Sequence, residues 1–186
     1  MFRSLLIAGA ALAAVGPALA APPAAAGLRP DQAAFRELYK ELIETNTTLS
    51  SGSCTLAAQK LAVRLKAAGY TDREMEIVVP PGQPRQGALV ATLAGTDSRL
   101  KPILLLAHID VVEANRADWE RDPFTLVEEN GFFFARGASD DKAMAAAFAD
   151  NMIRYKREGL KPKRTLRLAL TCGEETPDNF NGVEWL

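Results

Sequence analysis

From Asp31 onward, the apolar residues Phe35, Leu38, Tyr39, Leu42 and Ile43 recur at helical spacing, which predicts an amphipathic helix to about Glu44. Asn46-Thr47-Thr48 breaks that pattern. Ser53 is placed to cap a second helix carrying Leu56, Leu61, Leu65 and Ala68, with Gly69 as its stop. After Thr71 the pattern turns to strands. Glu74 to Val79 ends at Pro80-Pro81-Gly82 and Ala88 to Leu93 ends before Gly95, so the two read as a paired edge unit of a sheet. Ile103 to Ala107 is a continuous apolar run, which suits a strand covered on both faces in the middle of an α/β sheet. A polar loop from Glu113 to Asp122 follows. Phe124 to Val127 and Phe132 to Ala135 then flank Asn130-Gly131 as a hairpin. A helix carrying Met144, Ala147, Phe148 and Met152 is predicted from Asp140 to about Arg157, and Thr165 to Thr171 alternates as a half-buried strand should. Strands and helices alternate, which favours a three-layer α/β domain. No internal repeat is visible. Val183-Glu184-Trp185-Leu186 reads as a helix just begun, with an apolar face nothing later completes, so the chain is expected to be part of a longer protein.

The first residues carry a different pattern. Arg3, an uncharged apolar run from Leu5 to Val15, Gly16-Pro17 and the small-x-small triplet Ala18-Leu19-Ala20 have the layout of a secretory signal peptide, residues 1–20. Spanning a membrane takes roughly 20 apolar residues, and Gly16-Pro17 interrupts the run too soon, so no stable span is expected once the signal is removed. An Ala/Pro linker, 21–30, precedes the folded part, 31–186. Export places the chain where disulfides form. Whether Cys54 and Cys172 pair stays open. Cys172 shares a face with Leu166, Leu168 and Leu170, as a buried small hydrophobe would, and the cysteine spacing matches no cysteine zinc site. The formal net charge of −1 leaves no basic surplus for a phosphate backbone, which argues against nucleic acid as a partner.

Chemistry concentrates in three short stretches. Arg136-Gly137-Ala138-Ser139-Asp140-Asp141-Lys142 joins the Phe-rich strand to the following helix, a junction where α/β sheets bind ligands. Adjacent carboxylates repel unless a cation lies beside them, and one carboxylate can bridge two metal ions, for which Asp140 is the candidate. The competing reading is an N-cap favouring the helix dipole. His108-Ile109-Asp110 follows the apolar strand directly, with His108 the single histidine of the chain. A neutral imidazole ligates zinc, and a carboxylate can hold such a histidine through its other ring nitrogen. Alone, a histidine at a strand end is more often structural. Gly173-Glu174-Glu175 ends the last strand, and adjacent glutamates can divide metal binding from general-base work. Paired glutamates in a loop are usually only solvated, yet here three strand ends would present metal-compatible groups at one sheet edge.

Leu105 to Val112, Trp119 with Asp122-Pro123-Phe124, Gly131 through Lys142, and Thr171-Cys172-Gly173-Glu174-Glu175 agree in order and content with one family. The chain resembles, from about Phe35 to Leu186, the co-catalytic zinc peptidases that include aminoacylases, carboxypeptidase G, acetylornithine deacetylase and dipeptidases. The resemblance implies a zinc-peptidase-type catalytic domain with a mixed, largely parallel central sheet. It implies two zinc ions, with cobalt or manganese as substitutes. His108 would be ligand to one zinc, Asp140 the bridge, Glu175 a ligand, Glu174 the general base and Asp110 the residue steering His108. It also implies an amide substrate, a small peptide or N-acyl amino acid, and a separate lid domain through which homodimers form. Together with the aim required of a bridging carboxylate, it predicts a cis peptide between Asp140 and Asp141. Two departures stand out. Ala143-Met144 replaces a common glycine, and the further carboxylate and histidine ligands of the family lie nowhere before Leu186. Each zinc would therefore lack donors, and the chain by itself is expected to bind zinc weakly and not to turn over. A secreted metal- or peptide-binding module of the same fold is the alternative. A metallo-phosphoesterase is disfavoured, since no basic phosphate clamp is visible.

Overall fold

The computed structural model describes residues 27–176 and 180–186. The expected signal peptide, 1–20, lies outside these residues, as does most of the expected linker. Pro30, assigned to that linker, is instead the first residue of helix α1 (Pro30–Ile43), where its missing N–H is not needed. α1 buries Leu38, Tyr39, Leu42 and Ile43, the stripe its periodicity predicts. Helix α2 (Cys54–Ala67) begins where Ser53 Oγ accepts the Leu56 N–H at 3.1 Å. Leu61 and Leu65 enter the core, whereas Leu56 faces solvent and Cys54, Ala57 and Ala58 fill its place.

The chain then continues through β1 (Met75–Val78), β2 (Ala88–Leu93), β3 (Ile103–His108), the short strands β4 (Val127–Glu129) and β5 (Phe132–Phe134), helix α3 (Lys142–Arg157), β6 (Leu166–Thr171) and the single turn α4 (Gly182–Trp185). The main sheet runs β1-β2-β6-β3, with β3 and β6 parallel and the other two pairings antiparallel, so it is mixed as expected. Its order corrects one expectation. β3, expected as the doubly covered middle strand, pairs only with β6 among the described residues, and Ile103, Leu104 and Leu106 are 41%, 54% and 39% exposed. β6 and β2 take the interior places, and β1 with β2 forms the paired unit at the edge of the sheet, as expected. The Phe-rich strand also leaves the main sheet. β4 and β5 form a separate hairpin around Asn130 (φ 52) and Gly131 (φ 81), so the stretch that carries Asp140 does not start from a main-sheet strand end.

One face of the sheet is covered by α2 and α3, and α1 packs against these two helices. Leu89, Ala91, Leu168 and Leu170 are completely buried in the core that results. On α3 the buried stripe is Lys142, Ala145, Ala146, Ala149, Met152 and Ile153, whereas Met144, expected inside, is exposed. The alanines let α3 lie close to α1 and β3. The other face carries Val90, Leu104, Leu106 and Ala169, which share a groove of about 490 Å³ with Val183, Trp185 and Leu186. Cys54 and Cys172 form a disulfide, with Cα atoms 6.1 Å apart, so Cys172 is buried but not free. Among the described residues, no helix is long and apolar enough to cross a membrane.

Candidate metal centre

Parallel pairing of β3 and β6 sets His108 opposite Thr171, so both strands deliver their C-terminal residues to one edge of the sheet. The register is carried one step further by Ile109, whose N–H donates to the Thr171 carbonyl at 2.8 Å. The chain leaving β6 then turns at Gly173 (φ +89), where a Cβ would come within 2.0 Å of the Phe180 carbonyl oxygen. No other residue fits there, and the turn brings Glu174 and Glu175 over the end of β3. The third stretch arrives from the opposite side, at the N-terminus of α3. A cis peptide joins Asp140 and Asp141, as predicted. Asp141 turns inward, and its Oδ2 accepts the His108 N–H at 3.3 Å; Asp140 stays outside with its side chain 80% exposed.

The ring of His108 is held on both sides. Nδ1 lies 3.2 Å from the Asp110 carbonyl and 3.5 Å from Asp110 Oδ1, so in the neutral ring the proton belongs on Nδ1. The Nε2 lone pair then faces Asp140 Oδ1 at 3.1 Å and Glu174 Oε2 at 3.7 Å. A lone pair aimed at two carboxylates is stable only with a cation between them. Without a metal that cation is a proton. Burial works against the imidazolium, but the Asp110 carboxylate outweighs it and the ring is pushed up to about 9. Asp110 in turn is held below its ordinary value. Burial opposes this, but His108 and the Glu175 N–H, which donates to Asp110 Oδ2 at 3.0 Å, prevail. Burial, chiefly, raises Glu175 and Asp141. Donor atoms of His108, Glu174 and Glu175 all lie within 4.8 Å of one another, the spacing of a group that shares a metal ion. One nitrogen and several carboxylate oxygens form a donor set suited to zinc.

All five predicted residues thus meet at this edge, His108 and Asp110 from β3, Glu174 and Glu175 from β6, and Asp140 from the start of α3. Sequence reasoning missed Lys142. Its side chain is fully buried and donates from Nζ to the Thr45 carbonyl at 2.8 Å, and burial pushes it down to about 7. A signal was present, since Lys142 stands at helical spacing from Ala145, Ala146 and Ala149 and therefore on the buried stripe.

Residues 104–186 match the model of peptidase family M20/M25/M40. The chain is 40% identical over 84 residues to the N-fatty-acyl-amino acid synthase/hydrolase PM20D1 of Mus musculus, covering 45% of this chain and 17% of that protein. It is 31% identical over 139 residues to aminoacylase-1 of Mus musculus, covering 74% of this chain and 33% of the relative. The chain therefore spans a third or less of the length of these relatives. Its fold is similar to that of human carnosine dipeptidase 1, with a TM-score of 0.65 at 20% identity, over 82% of this chain and 34% of that one.

Proposed function

Because residues 104–186 are part of an M20 peptidase family domain, we propose that this protein belongs to a metal-dependent hydrolase of amide bonds, acting on small peptides or N-acyl amino acids. The observation that carries the reading is the His108 Nε2 lone pair, aimed at Asp140 and Glu174 with Glu175 in the same cluster. In this reading His108, Asp140 and Glu175 would hold the zinc ions, with Asp140 the residue they would share. Bound zinc supplies Lewis acidity and lowers the pKa of water toward neutrality.

The chain's own residues do the remaining work. Asp110 keeps the His108 proton on Nδ1, so that Nε2 stays available as a donor. Glu174, more exposed than Glu175, is free to take the proton of the attacking water and return it to the leaving nitrogen. The Glu175 backbone is pinned by Asp110, which limits how far the glutamate pair can drift from His108. The disulfide supports an exported protein, since such bonds persist in oxidising compartments.

The test is hydrolysis of an N-acyl amino acid and dipeptide panel, beside a phosphate ester, by the full-length protein with and without chelator. Chelator-sensitive release of amines from the amide panel is expected. Cleavage of the phosphate ester alone, or metal binding with no turnover, would overturn the assignment, the latter in favour of a binding module.

A further inference from the structure

We infer that residues 45–54, fastened on the outside by Glu113, form a positioning strap for the metal centre, an inference that rests on the metal-binding reading above. The strap is joined to each donor-bearing stretch. Lys142, next to the Asp pair, donates to the Thr45 carbonyl at 2.8 Å. Val111, next to Asp110, donates its N–H to the Thr47 carbonyl at 3.4 Å. A little further along the same stretch, the Glu113 carboxylate accepts the Ser50 N–H at 2.9 Å and the Ser50 hydroxyl at 2.8 Å. Cys172, just before the Glu pair, is bonded to Cys54 at the strap's end.

The strap is itself stiff. Arg85 donates to the carbonyls of Leu49, Ser50 and Gly52 at 3.2, 3.3 and 3.1 Å, and the Gly52 N–H closes onto the Thr48 carbonyl at 3.0 Å. A stiff segment tied to the three stretches resists their moving relative to one another. Metal donors tolerate displacements of only about 0.5 Å, so a loosened fastening is read as lost metal affinity. Groups hydrogen-bonded directly to metal ligands are typically worth about 10–100-fold in affinity, and a strap tied to the ligands' neighbours is expected at the lower end of that range.

Glu113 is the fastening best suited to a test. Both it and Ser50 are exposed, so removing the carboxylate strands no buried group and leaves the fold intact. A carboxylate near a metal site could also act by its charge, and the amide separates the two roles. Glu113→Gln keeps an oxygen for the Ser50 N–H and offers an N–H to the Ser50 hydroxyl, without the charge.

The experiment is a Zn²⁺ titration of the full chain, followed on the ring NMR signals of its single histidine, His108. Parent, Glu113→Ala and Glu113→Gln are compared, with thermal midpoints measured alongside. Glu113→Ala should bind Zn²⁺ about tenfold more weakly at an unchanged midpoint, and Glu113→Gln should match the parent. Equal affinity in all three overturns the strap. Equal loss in the two variants also overturns it, since charge then explains the effect. So does a fall in the Glu113→Ala midpoint large enough to account for the lost binding. A parent that binds no Zn²⁺ overturns the inference, whereas the metal reading itself stands or falls on the chelator test above.

Discussion

The chain carries two adjacent acid pairs at the same sheet edge, and they are anchored by different means. At Asp140-Asp141 the inner member is held by its own carboxylate, which accepts the His108 N–H, and the next residue is a buried lysine tied to the Thr45 carbonyl. At Glu174-Glu175 the anchor is backbone and covalent, with the Glu175 N–H on Asp110 and Cys172 bonded to Cys54. In both pairs one carboxylate stays out toward the shared centre, and the side chains of Asp140 and Glu174 are 80% and 60% exposed. The contrast teaches that adjacent like charges are kept within reach of one cation by fixing one residue of each pair and leaving its neighbour free to turn.

If the anchors differ, breaking them should have unequal effects. The largest is expected at the disulfide. Closing a loop of 118 residues is worth about 4–5 kcal/mol by the chain-entropy estimate, a large share of a domain's stability. Denaturant unfolding of Cys54→Ser/Cys172→Ser against the parent should show that loss, and a difference under about 1 kcal/mol would show that the Glu pair does not depend on the bond. A smaller effect is expected within the Asp pair. Asp141→Ala leaves the His108 N–H without its acceptor and should cost about 1–3 kcal/mol. Asp140→Ala, at an exposed position, should stay within about 0.5 kcal/mol in the metal-free chain. Equal costs would erase the division between the anchored and the free member.

The smallest effect is a change of slope with pH. In the metal-free chain His108 is raised from 6.5 to about 9, so it stabilises the fold below pH 6.5 and that contribution is lost as pH rises through 9. Lys142 is lowered from 10.5 to about 7, so its buried charge weighs against folding at low pH and is relieved between pH 7 and 10.5. The two legs oppose each other between pH 7 and 9. Lys142→Met should remove the rising leg and leave stability falling more steeply across that window. Parallel curves for parent and variant, measured by urea unfolding at a series of pH values, would contradict this account of Lys142.

Much of this edge is legible in the sequence because the single histidine and the acidic residues follow directly where the apolar runs of β3 and β6 end. That logic brings His108, Asp110, Glu174 and Glu175 to one edge, and the structure has them there. Strand order was not legible. The apolar run of β3 implies cover on both faces, but Leu104 and Leu106 show one face open among the described residues. Periodicity reports what a strand is made of, and pairing partners depend on the distant chain. The alternation of Thr165 to Thr171 predicts half-burial, and exposed Arg167 between Leu166 and Leu168 follows it, whereas Ala169 and Thr171 on the same face as Arg167 are buried. Lys142 was passed over because its type outweighed its place on the helical stripe. The strap is hard to read from the sequence, since Lys142, Val111 and Arg85 bind it through backbone carbonyls that any residue supplies.

The most direct test of the proposed metal-dependent hydrolysis is to compare Glu174→Gln with Glu175→Gln for zinc content by mass spectrometry and for amide hydrolysis in the full-length protein. Glu174→Gln should keep its zinc and lose turnover by about 10²–10⁴-fold, the usual worth of a general base. Glu175→Gln should lose zinc as well. Equal zinc and equal activity in the two variants would contradict the assignment of base and ligand on which the account rests.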